Sequence, residues 1–291
     1  REQLPKLPAQ NIIGEPERKN TAPCVAYISL KNQQLNPNAN LIVAPSDHMI
    51  ENSSLFQLTC EKALAFTAKN NAFVTLGIQP TYANTGYGYI QFENQDLKST
   101  VFPVKRFTEK PTIQAATEFF KSGNYLWNAG IFIWKTADII AAFKLYAPEM
   151  YDAFIYGLTD FNTPNEKAAV VYIYRTCESV SIDYAILEKA QNVFVIPASF
   201  DWSDLGTWNS AWENFEKDPA QNAVAGNNTL MVDASGCMVH STDKKLILVG
   251  GVEDLIVVNT PDALLICKKE NEQQIKEYLQ KVKMEKGALY L

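Results

Sequence analysis

The sequence has few of the residues that most often bind zinc or form disulfides. It contains two histidines and five cysteines among 291 residues, and no two cysteines have the Cys-x-x-Cys spacing. A zinc site is therefore not expected. An odd number of scattered cysteines predicts reduced, buried thiols in a cytoplasmic protein.

Other absences exclude further classes of protein. Lys and Arg total 26 against 32 Asp and Glu, a net charge of -6, whereas nucleic-acid surfaces need clustered basic residues. No hydrophobic run has the length of a membrane span, and no secretory signal is visible. The close glycine pairs, Gly86/Gly88 and Gly250/Gly251, do not lie between a strand and a helix, so no Gly-rich phosphate loop is found. We expect no nucleic-acid and no membrane partner.

The hydrophobic pattern predicts two domains. From Asn11 to about Trp212, apolar runs alternate with helical periodicity, which is typical of an α/β domain. After residue 220, short β-rich pieces are separated by Gly, Asp and Asn, which predicts a small sandwich or a few coils of a β-solenoid. A helix over residues 270–283 closes the chain. The boundary is predicted near Ala220, giving domains 1–219 and 220–291.

The same pattern predicts the elements of the first domain. Residues 41–44 are interpreted as a fully buried parallel strand that ends at Pro45. The helix over 137–146 is expected to stop at Pro148. Further helices are predicted over 54–70, 114–121 and 182–190, and further strands over 73–77, 130–134 and 193–197.

Two turn-borne carboxylates predict a Mg²⁺ site. Asp47 follows the strand that ends at Pro45, at the edge where open α/β sheets bind ligands. Asp204 lies in a turn between Trp202 and Trp208. Each alone could be a helix N-cap, but the pair offers the sparse oxygen ligation that Mg²⁺ prefers, completed by phosphates and water. We interpret His48 as a loop histidine and not as a base.

Glu109-Lys110-Pro111 follows a predicted strand, and Pro111 prevents that strand from continuing. Such a Glu-Lys pair is usually a solvated ion pair that contributes little. Alternatively, Pro111 fixes the turn so that both side chains point into one pocket, where Lys110 meets a phosphate and Glu109 accepts hydroxyl hydrogen bonds.

Three further segments each allow two interpretations. Gly86 and Gly88 form either a plain strand end or a place where a ligand touches the backbone. Asn128, which precedes Gly130 and a buried strand, is either a turn former or a polar specificity contact. Asn20 and Thr21 are either residues that cap the helix that follows or residues that bind substrate.

Glu15 lies shortly before that helix, where it is either a solvated loop acid or a carboxylate that contacts a ligand.

Taken together, these segments resemble one family, the mannose-1-phosphate guanylyltransferases. The resemblance runs from Asn11 to about Pro261 and comprises seven motifs in the family's order. The motifs are Glu-Pro-x-x-Lys-Asn-Thr-Ala-Pro, Pro-Ser-Asp-His, Thr-Gly-Tyr-Gly-Tyr-Ile, Phe-Thr-Glu-Lys-Pro, Trp-Asn-Ala-Gly-Ile-Phe, Ser-Ile-Asp-Tyr-Ala-Ile-Leu-Glu-Lys and Trp-Ser-Asp-Leu-Gly-Thr-Trp.

The resemblance implies a Rossmann-like nucleotidyltransferase domain with a mixed sheet, followed by a left-handed β-helix-like domain and a terminal helix. It implies that Asp47 and Asp204 hold Mg²⁺ and that Lys110 meets the sugar phosphate. It further implies that Glu109, Asn128 and the backbone from Gly86 to Gly88 hold the mannose. Asp183 matches a family position in Ser-Ile-Asp-Tyr and is expected near substrate, without an assigned role.

The implied reaction joins GTP and mannose 1-phosphate to give GDP-mannose and pyrophosphate, and the resemblance allows a homodimer. With GTP as substrate, we expect Glu15 to accept both N1-H and the 2-amino group of guanine, whereas adenine presents a bare acceptor there. Family members begin with a strand and a Gly-rich loop whose Arg and Lys embrace the triphosphate. We expect such a segment upstream of Arg1, and we expect residues 1–291 alone to be inactive. Two alternatives stay open: a transferase for another base or hexose, and a non-catalytic regulatory subunit that binds a nucleotide sugar.

Overall fold

The structure is a computed structural model that describes residues 3–92 and 99–290. The chain divides into two compact units: residues 1–46 with 50–202, and residues 47–49 with 203–291. The second unit therefore begins at residue 203, earlier in the chain than Ala220, where the sequence pattern places the boundary. None of the helices in the described residues is long and apolar enough to cross a membrane.

The helices and strands are numbered in chain order. The α-helices are α1 Thr21–Leu35, α2 Ser53–Thr67, α3 Ile113–Ser122, α4 Thr136–Tyr146, α5 Pro148–Tyr156, α6 Glu166–Thr176, α7 Trp208–Asn214 and α8 Ile275–Lys286. The strands are β1 Asn40–Val43, β2 Met49–Ile50, β3 Phe73–Ile78, β4 Tyr89–Phe92, β5 Phe102–Thr108, β6 Tyr125–Lys135, β7 Val193–Ala198, β8 Trp202–Ser203, β9 Ala223–Ala225, β10 Thr229–Val232, β11 Met238–Ser241, β12 Ile247–Gly250, β13 Leu255–Asn259 and β14 Leu264–Lys268. Short 3-10 helices cover Ala9–Asn11, Leu158–Asp160, Lys269–Gln274 and Ala288–Tyr290, and a π-helix covers Asp183–Leu187.

The first unit is built on a six-stranded mixed sheet with the order β1-β6-β3-β7-β5-β4. Strands β3 and β7 are parallel, whereas β6 is antiparallel to β1, β3 and β4. The mixed sheet predicted for this domain is therefore confirmed. Because successive side chains of a strand point to opposite faces, β6 contributes to two cores. Phe132 and Trp134 join the cluster that includes α1 and α4, and Ile131 and Ile133 join the cluster that packs on α2.

One prediction for this unit is wrong, and another is correct but incomplete. The strand at residues 41–44 is β1, an antiparallel edge strand in which Ile42 is exposed, and not a fully buried parallel strand. An apolar run of four residues cannot distinguish an edge from a centre position, because its composition is the same in both. Pro148 ends α4 as predicted but also begins α5, since proline is favoured at the first position of a helix.

The second unit is a short parallel β-structure. Strands β9, β11 and β13 pair in parallel along one face, and β10 pairs in parallel with β12 along another. Parallel pairing of successive short strands is what a solenoid produces, so the solenoid interpretation holds and the sandwich does not. Strand β14 turns back antiparallel to β13, and α8 follows as the predicted terminal helix.

All five cysteines are free thiols. Cys60, Cys177 and Cys237 are buried as predicted, whereas Cys267 is half-buried and Cys24 is exposed. Cys24 lies on α1, and its neighbours Pro23 and Val25 supply the buried side of the helix there. The prediction of a buried thiol is therefore wrong at Cys24.

Candidate active site

The first unit holds a group of polar residues at the end of β5. Strand β5 ends at Thr108, and Lys110 has a left-handed backbone with φ of 43° before Pro111 begins the approach to α3. Such a conformation is uncommon for a lysine and occurs often at functional sites. The backbone N-H of Glu109 donates to Oε1 of Glu188 at 3.0 Å. The turn is thereby tied to the segment that follows the π-helix.

The Glu109 carboxylate is inside the protein while the Lys110 ammonium is outside. Their side chains are 11% and 61% exposed, and Lys110 Nζ lies 3.5 Å from Glu109 Oε1. Burial is the largest cause that raises the pKa of Glu109 to about 7, and the carboxylate of Asp183 raises it further, whereas Lys110 lowers it. Near neutral pH this carboxyl group can therefore either donate or accept a hydrogen bond. The interpretation of a purely solvated Glu-Lys pair does not describe Glu109.

Gly88 lies between this carboxylate and Asn128. A Cβ on residue 88 would overlap Oε2 of Glu109 and would come within 3.3 Å of Asn128 Cβ. The carbonyl of Gly88 accepts the backbone N-H of Asn128 at 2.8 Å. Gly86 makes a different contact, because its N-H donates to Oδ1 of Asn84 at 2.7 Å. A side chain at residue 88 would therefore displace the Glu109 carboxylate from its present position.

The Asn128 side chain is held in one orientation by a buried network. Its Oδ1 accepts the Thr75 hydroxyl at 2.9 Å and the Gly130 N-H at 3.1 Å, and its Nδ2 donates to Asp183 Oδ1 at 3.1 Å. Gly130 has φ of 68°, which favours glycine. The two acceptor bonds fix which end of the amide points at Asp183. Asn128 lies inside β6, which begins at Tyr125 and not at the predicted residue 130, so the interpretation as a turn former is wrong and Asn128 is a fixed polar group.

Asp183 begins the π-helix and shares the environment of Glu109. Burial raises the pKa of Asp183, while hydrogen bonds from its own backbone and from Asn128 and Ser181 lower it. The phenol of Tyr184 is close enough to Glu109 and Asp183 for both to raise its pKa, after burial as the largest cause. π-Helical turns are rare and frequent at functional sites. Glu109, Asn128 and Asp183 therefore place two carboxyl groups and one amide close together, a set that can both donate and accept hydrogen bonds.

The two predicted magnesium ligands lie in the second unit. The Gly206 N-H donates to Asp204 Oδ1 at 2.9 Å, and the intervening Leu205 has φ of 48°. Burial lowers the pKa of His48, while the carboxylates of Asp204 and Asp47 both raise it. Both aspartates therefore act on the same imidazole.

This donor set fits magnesium. No group of three or more His, Cys, Asp or Glu side chains with metal-binding geometry exists among the residues that the structure describes. Mg²⁺ commonly uses one or two protein carboxylates and takes its other ligands from phosphates and water. Two aspartates that share one neighbourhood match that requirement and do not match a closed protein cage.

The segment before α1 has mainly internal contacts. Oδ1 of Asn20 accepts the Thr21 N-H at 2.9 Å, and the Thr21 hydroxyl accepts the Ile182 N-H at 2.9 Å. The predicted helix cap is therefore present at Asn20. Thr21 joins the start of α1 to the residue before Asp183.

Glu15 is exposed as a residue, yet its carboxylate has partners. The Tyr174 hydroxyl donates to Glu15 Oε1 at 2.7 Å, and the Cys24 thiol lies beside the carboxylate. Tyr174 is fully buried. The alternative of a freely solvated loop acid does not describe Glu15.

Sequence reasoning missed two residues of this site. Thr75 is a polar residue inside the apolar run of β3, and a buried hydroxyl in such a run needs a partner. Glu188 lies within the quoted motif that contains Asp183. A polar interruption of the strand pointed to Thr75, while nothing in the spacing indicated that Glu188 reaches the Glu109 backbone.

Comparison with known proteins agrees with the sequence motifs. The family model described as nucleotidyl transferase matches residues 2–221, and that of the MannoseP isomerase/GMP-like beta-helix domain matches residues 227–282. A mannose-1-phosphate guanylyltransferase of Salmonella montevideo is 36% identical over 98% of this chain and 61% of its own length. The alginate biosynthesis protein AlgA of Pseudomonas putida is 35% identical over 94% of this chain and 56% of its own length.

A solved structure described as a mannose-1-phosphate geranyltransferase from Thermus thermophilus has a TM-score of 0.80 at 27% identity. The match covers 93% of this chain and 77% of that structure. The chain spans only 56 to 61% of the length of these two curated relatives. The two matched family models, these relatives and the shared fold agree with one another. The chain therefore belongs to the nucleotidyl transferase family, and the proteins that it resembles include mannose-1-phosphate guanylyltransferases.

Proposed function

We propose that this chain is the nucleotidyltransferase part of an enzyme that transfers GMP from GTP to mannose 1-phosphate, giving GDP-mannose and pyrophosphate. The main support is that Glu109, Asn128 and Asp183 are grouped beside the exposed Lys110. The chain that carries this group belongs to the nucleotidyl transferase family. The names of the relatives supply the choice of mannose and guanine.

The grouped residues suit a hexose. Asn128 has a fixed amide, Asp183 a carboxylate, and Glu109 a carboxyl group with a pKa of about 7. Sugar hydroxyls both donate and accept, so such a mixed set can satisfy adjacent hydroxyls. The Gly88 backbone allows close approach because no side chain fills that space.

Lys110 is assigned to the phosphate of the sugar. Its ammonium is largely exposed and close to Glu109, so it can contact an anion while the hexose occupies the buried groups. An oxygen of the sugar phosphate attacks the α-phosphorus of GTP in line, the new P-O bond forms, and pyrophosphate leaves with the electrons of the broken bond. No protein nucleophile is needed, and the protein supplies positioning and charge neutralisation.

Asp47 and Asp204 are assigned to Mg²⁺. When bound, Mg²⁺ neutralises phosphate oxygens and so lowers the repulsion between the two anionic substrates. Glu15 is assigned to guanine, with the geometry of its carboxylate set by the Tyr174 hydroxyl. Free scattered thiols and these substrates suit an enzyme of the cytoplasm.

The test is a pyrophosphate-release screen on the full protein. GTP, ATP, UTP, CTP and dTTP are each combined with mannose 1-phosphate and glucose 1-phosphate. We expect turnover with GTP and mannose 1-phosphate well above every other pair. Another preferred pair would assign the enzyme to a different sugar nucleotide, and binding of GDP-mannose without turnover of any pair would establish a regulatory subunit.

A further inference from the structure

Helix α7 follows closely after the turn that carries Asp204. The Gly206 N-H donates to Asp204 Oδ1 at 2.9 Å, and a Cβ on residue 206 would overlap Oδ2 of the same carboxylate. Gly206 is separated from Trp208, the first residue of α7, by Thr207 alone. The Asp204 carboxylate therefore lies against the backbone that enters α7, and its position depends on where that helix begins.

The start of α7 is capped by its own residues. Thr207 Oγ1 accepts the Ser210 N-H at 3.1 Å, and Ser210 Oγ accepts the Thr207 N-H at 3.3 Å. This capping box joins the residue after Gly206 to the first turn of the helix. With seven residues, however, α7 is too short to be stable by itself, so its position depends on what it contacts.

Apolar contacts attach α7 to the parallel strands of its own unit. Ala211 belongs to a buried cluster that takes one residue from each of three parallel strands, Ala223 of β9, Met238 of β11 and Ile256 of β13. Trp208 adds a ring contact with His240, with centroids 5.3 Å apart. Apolar contacts are not directional, so they leave the rotation of a short helix to be set by hydrogen bonds.

Glu272 supplies a directional contact to the first turn of α7. Its Oε1 accepts the Asn209 N-H at 2.8 Å, and the Asn209 side chain donates to the carbonyl oxygen of Lys269 at 3.4 Å. The N-H groups of a first turn have no partner within the helix, and they favour a negative charge beside them. The first turn of α7 contains no acidic residue, so this charge comes from Glu272.

The segment that carries Glu272 is itself held in place. Glu272 lies in the 3-10 helix Lys269–Gln274. The Lys269 N-H donates to the carbonyl oxygen of Asp254 at 2.8 Å, and Lys269 Nζ lies 3.3 Å from Asp254 Oδ1. The same ammonium lies 3.4 Å from the centroid of the Trp212 ring on α7. Glu272 therefore reaches α7 from a segment that is attached to the residue before β13.

We propose that Glu272 is a positioning residue for the metal site. It fixes the first turn of α7 through Asn209, and α7 in turn fixes the Gly206 N-H that holds the Asp204 carboxylate. The inference rests on the proposed function, which assigns Asp204 to Mg²⁺, and it goes further by giving residues 269–274 a part in metal binding. Hydrogen bonds that orient a metal ligand affect metal affinity although their own groups do not touch the ion.

Metal-dependent binding of GTP tests the proposal without turnover. Calorimetric titration of the full protein with GTP is done once with Mg²⁺ and once with EDTA, and the ratio of the two dissociation constants is the affinity gain from the metal. We expect Glu272→Ala to lower this gain about tenfold, because Asp204 loses its fixed position, and to leave the dissociation constant in EDTA unchanged. Glu272→Gln keeps an acceptor for the Asn209 N-H, so its gain should stay within about threefold of the wild-type gain.

The matched control is Glu270→Ala in the same 3-10 helix. The Glu270 side chain is 71% exposed and forms an ion pair with Lys268 at 3.2 Å. This variant removes a charge of the same sign and should leave the gain unchanged. In an Asp204→Asn background, Glu272→Ala should not change the gain further, because both changes act on the same ligand. Circular dichroism and thermal melting show that each variant is folded.

Three outcomes would contradict these expectations. A Glu272→Ala variant that melts at a lower temperature but keeps the wild-type gain would show that Glu272 only caps α7, and it overturns the proposal. A gain in Glu272→Gln as low as that in Glu272→Ala also overturns it, since the amide retains the hydrogen bond. An Asp204→Asn variant with the full gain would instead contradict the assignment of Asp204 to Mg²⁺ in the proposed function, and the inference would fail with it.

Discussion

The carboxylate of Glu109 lies against the Cα of Gly88, where a methyl group would overlap Oε2. Gly88 also accepts the Asn128 N-H through its carbonyl at 2.8 Å. One residue without a side chain therefore sets the space between two groups assigned to the hexose.

We expect Gly88→Ala to weaken binding of mannose 1-phosphate about tenfold to a hundredfold, because Glu109 must move away from its present position. The overlapping atom is the end of a flexible side chain, so the loss of stability should stay below about 2 kcal/mol. Titration calorimetry and thermal melting measure the two effects. The control is Gly14→Ala, where a Cβ meets nothing within 4 Å. Unchanged affinity in Gly88→Ala would contradict the role of this close approach.

The stability of the protein should depend on pH through Glu109. Its pKa of about 7 in the folded state lies above the ordinary value, so the folded protein binds more protons than the unfolded chain between these values. The stabilisation is present at low pH and is lost as the pH rises through about 7. Relative to Glu109→Gln, the wild-type free energy of unfolding should fall by about 1–3 kcal/mol from pH 5 to pH 8.

Urea denaturation at pH 5 and pH 8 measures this difference, with Glu61→Gln on exposed α2 surface as the control. Other titrating groups cancel when variant and wild type are compared at the same pH. A difference between wild type and Glu109→Gln that is the same at both pH values would show that Glu109 does not titrate in this range.

Asp47→Asn and Asp204→Asn should each lower kcat at least about a hundredfold, because each removes a charge assigned to Mg²⁺. The fold should be retained, since both side chains lie at turns and not in a core. The control is Asp201→Asn, an exposed turn residue with φ of 55° that asparagine tolerates. If either variant keeps a kcat near the wild-type value at saturating Mg²⁺, that aspartate has only a structural role in its turn.

Lys110→Ala should raise KM for mannose 1-phosphate more than KM for GTP, because the neighbouring groups are assigned to the hexose. Steady-state kinetics with each substrate varied in turn gives both values. Lys121→Ala, in the last turn of α3, is the control for loss of a surface charge. A raised KM for GTP with an unchanged KM for mannose 1-phosphate would reverse the assignment.

Glu15→Gln should lower kcat/KM for GTP and narrow the ratio of GTP to ATP activity, while KM for mannose 1-phosphate stays nearly constant. An amide cannot accept from both guanine donors, whereas it can still accept from Tyr174. Tyr174→Phe is the comparison, because it removes the support of Glu15 and leaves its carboxylate. An unaltered GTP/ATP ratio in Glu15→Gln would show that guanine is recognised elsewhere.

Much of the local structure follows from the sequence because it depends on short-range patterns. The helix predicted over 54–70 corresponds to α2, and the strands predicted over 73–77 and 193–197 correspond to β3 and β7. Apolar periodicity and turn residues act within a few positions, so they are visible without the fold. The position of β1 at the sheet edge is not visible in this way, since it depends on which strands lie beside it.

The sequence by itself determined the family, the order of the elements and the identity of most of the residues assigned to the site, because ordered motifs are a property of the linear chain. Only the tertiary structure decided that Glu109 is buried against Gly88 and that Thr75 fixes the Asn128 amide toward Asp183. It also decided that Glu188 holds the Glu109 backbone and that Tyr174 holds Glu15. These contacts join residues distant in sequence, and the pKa of a carboxyl group follows from the burial and charges that such contacts create.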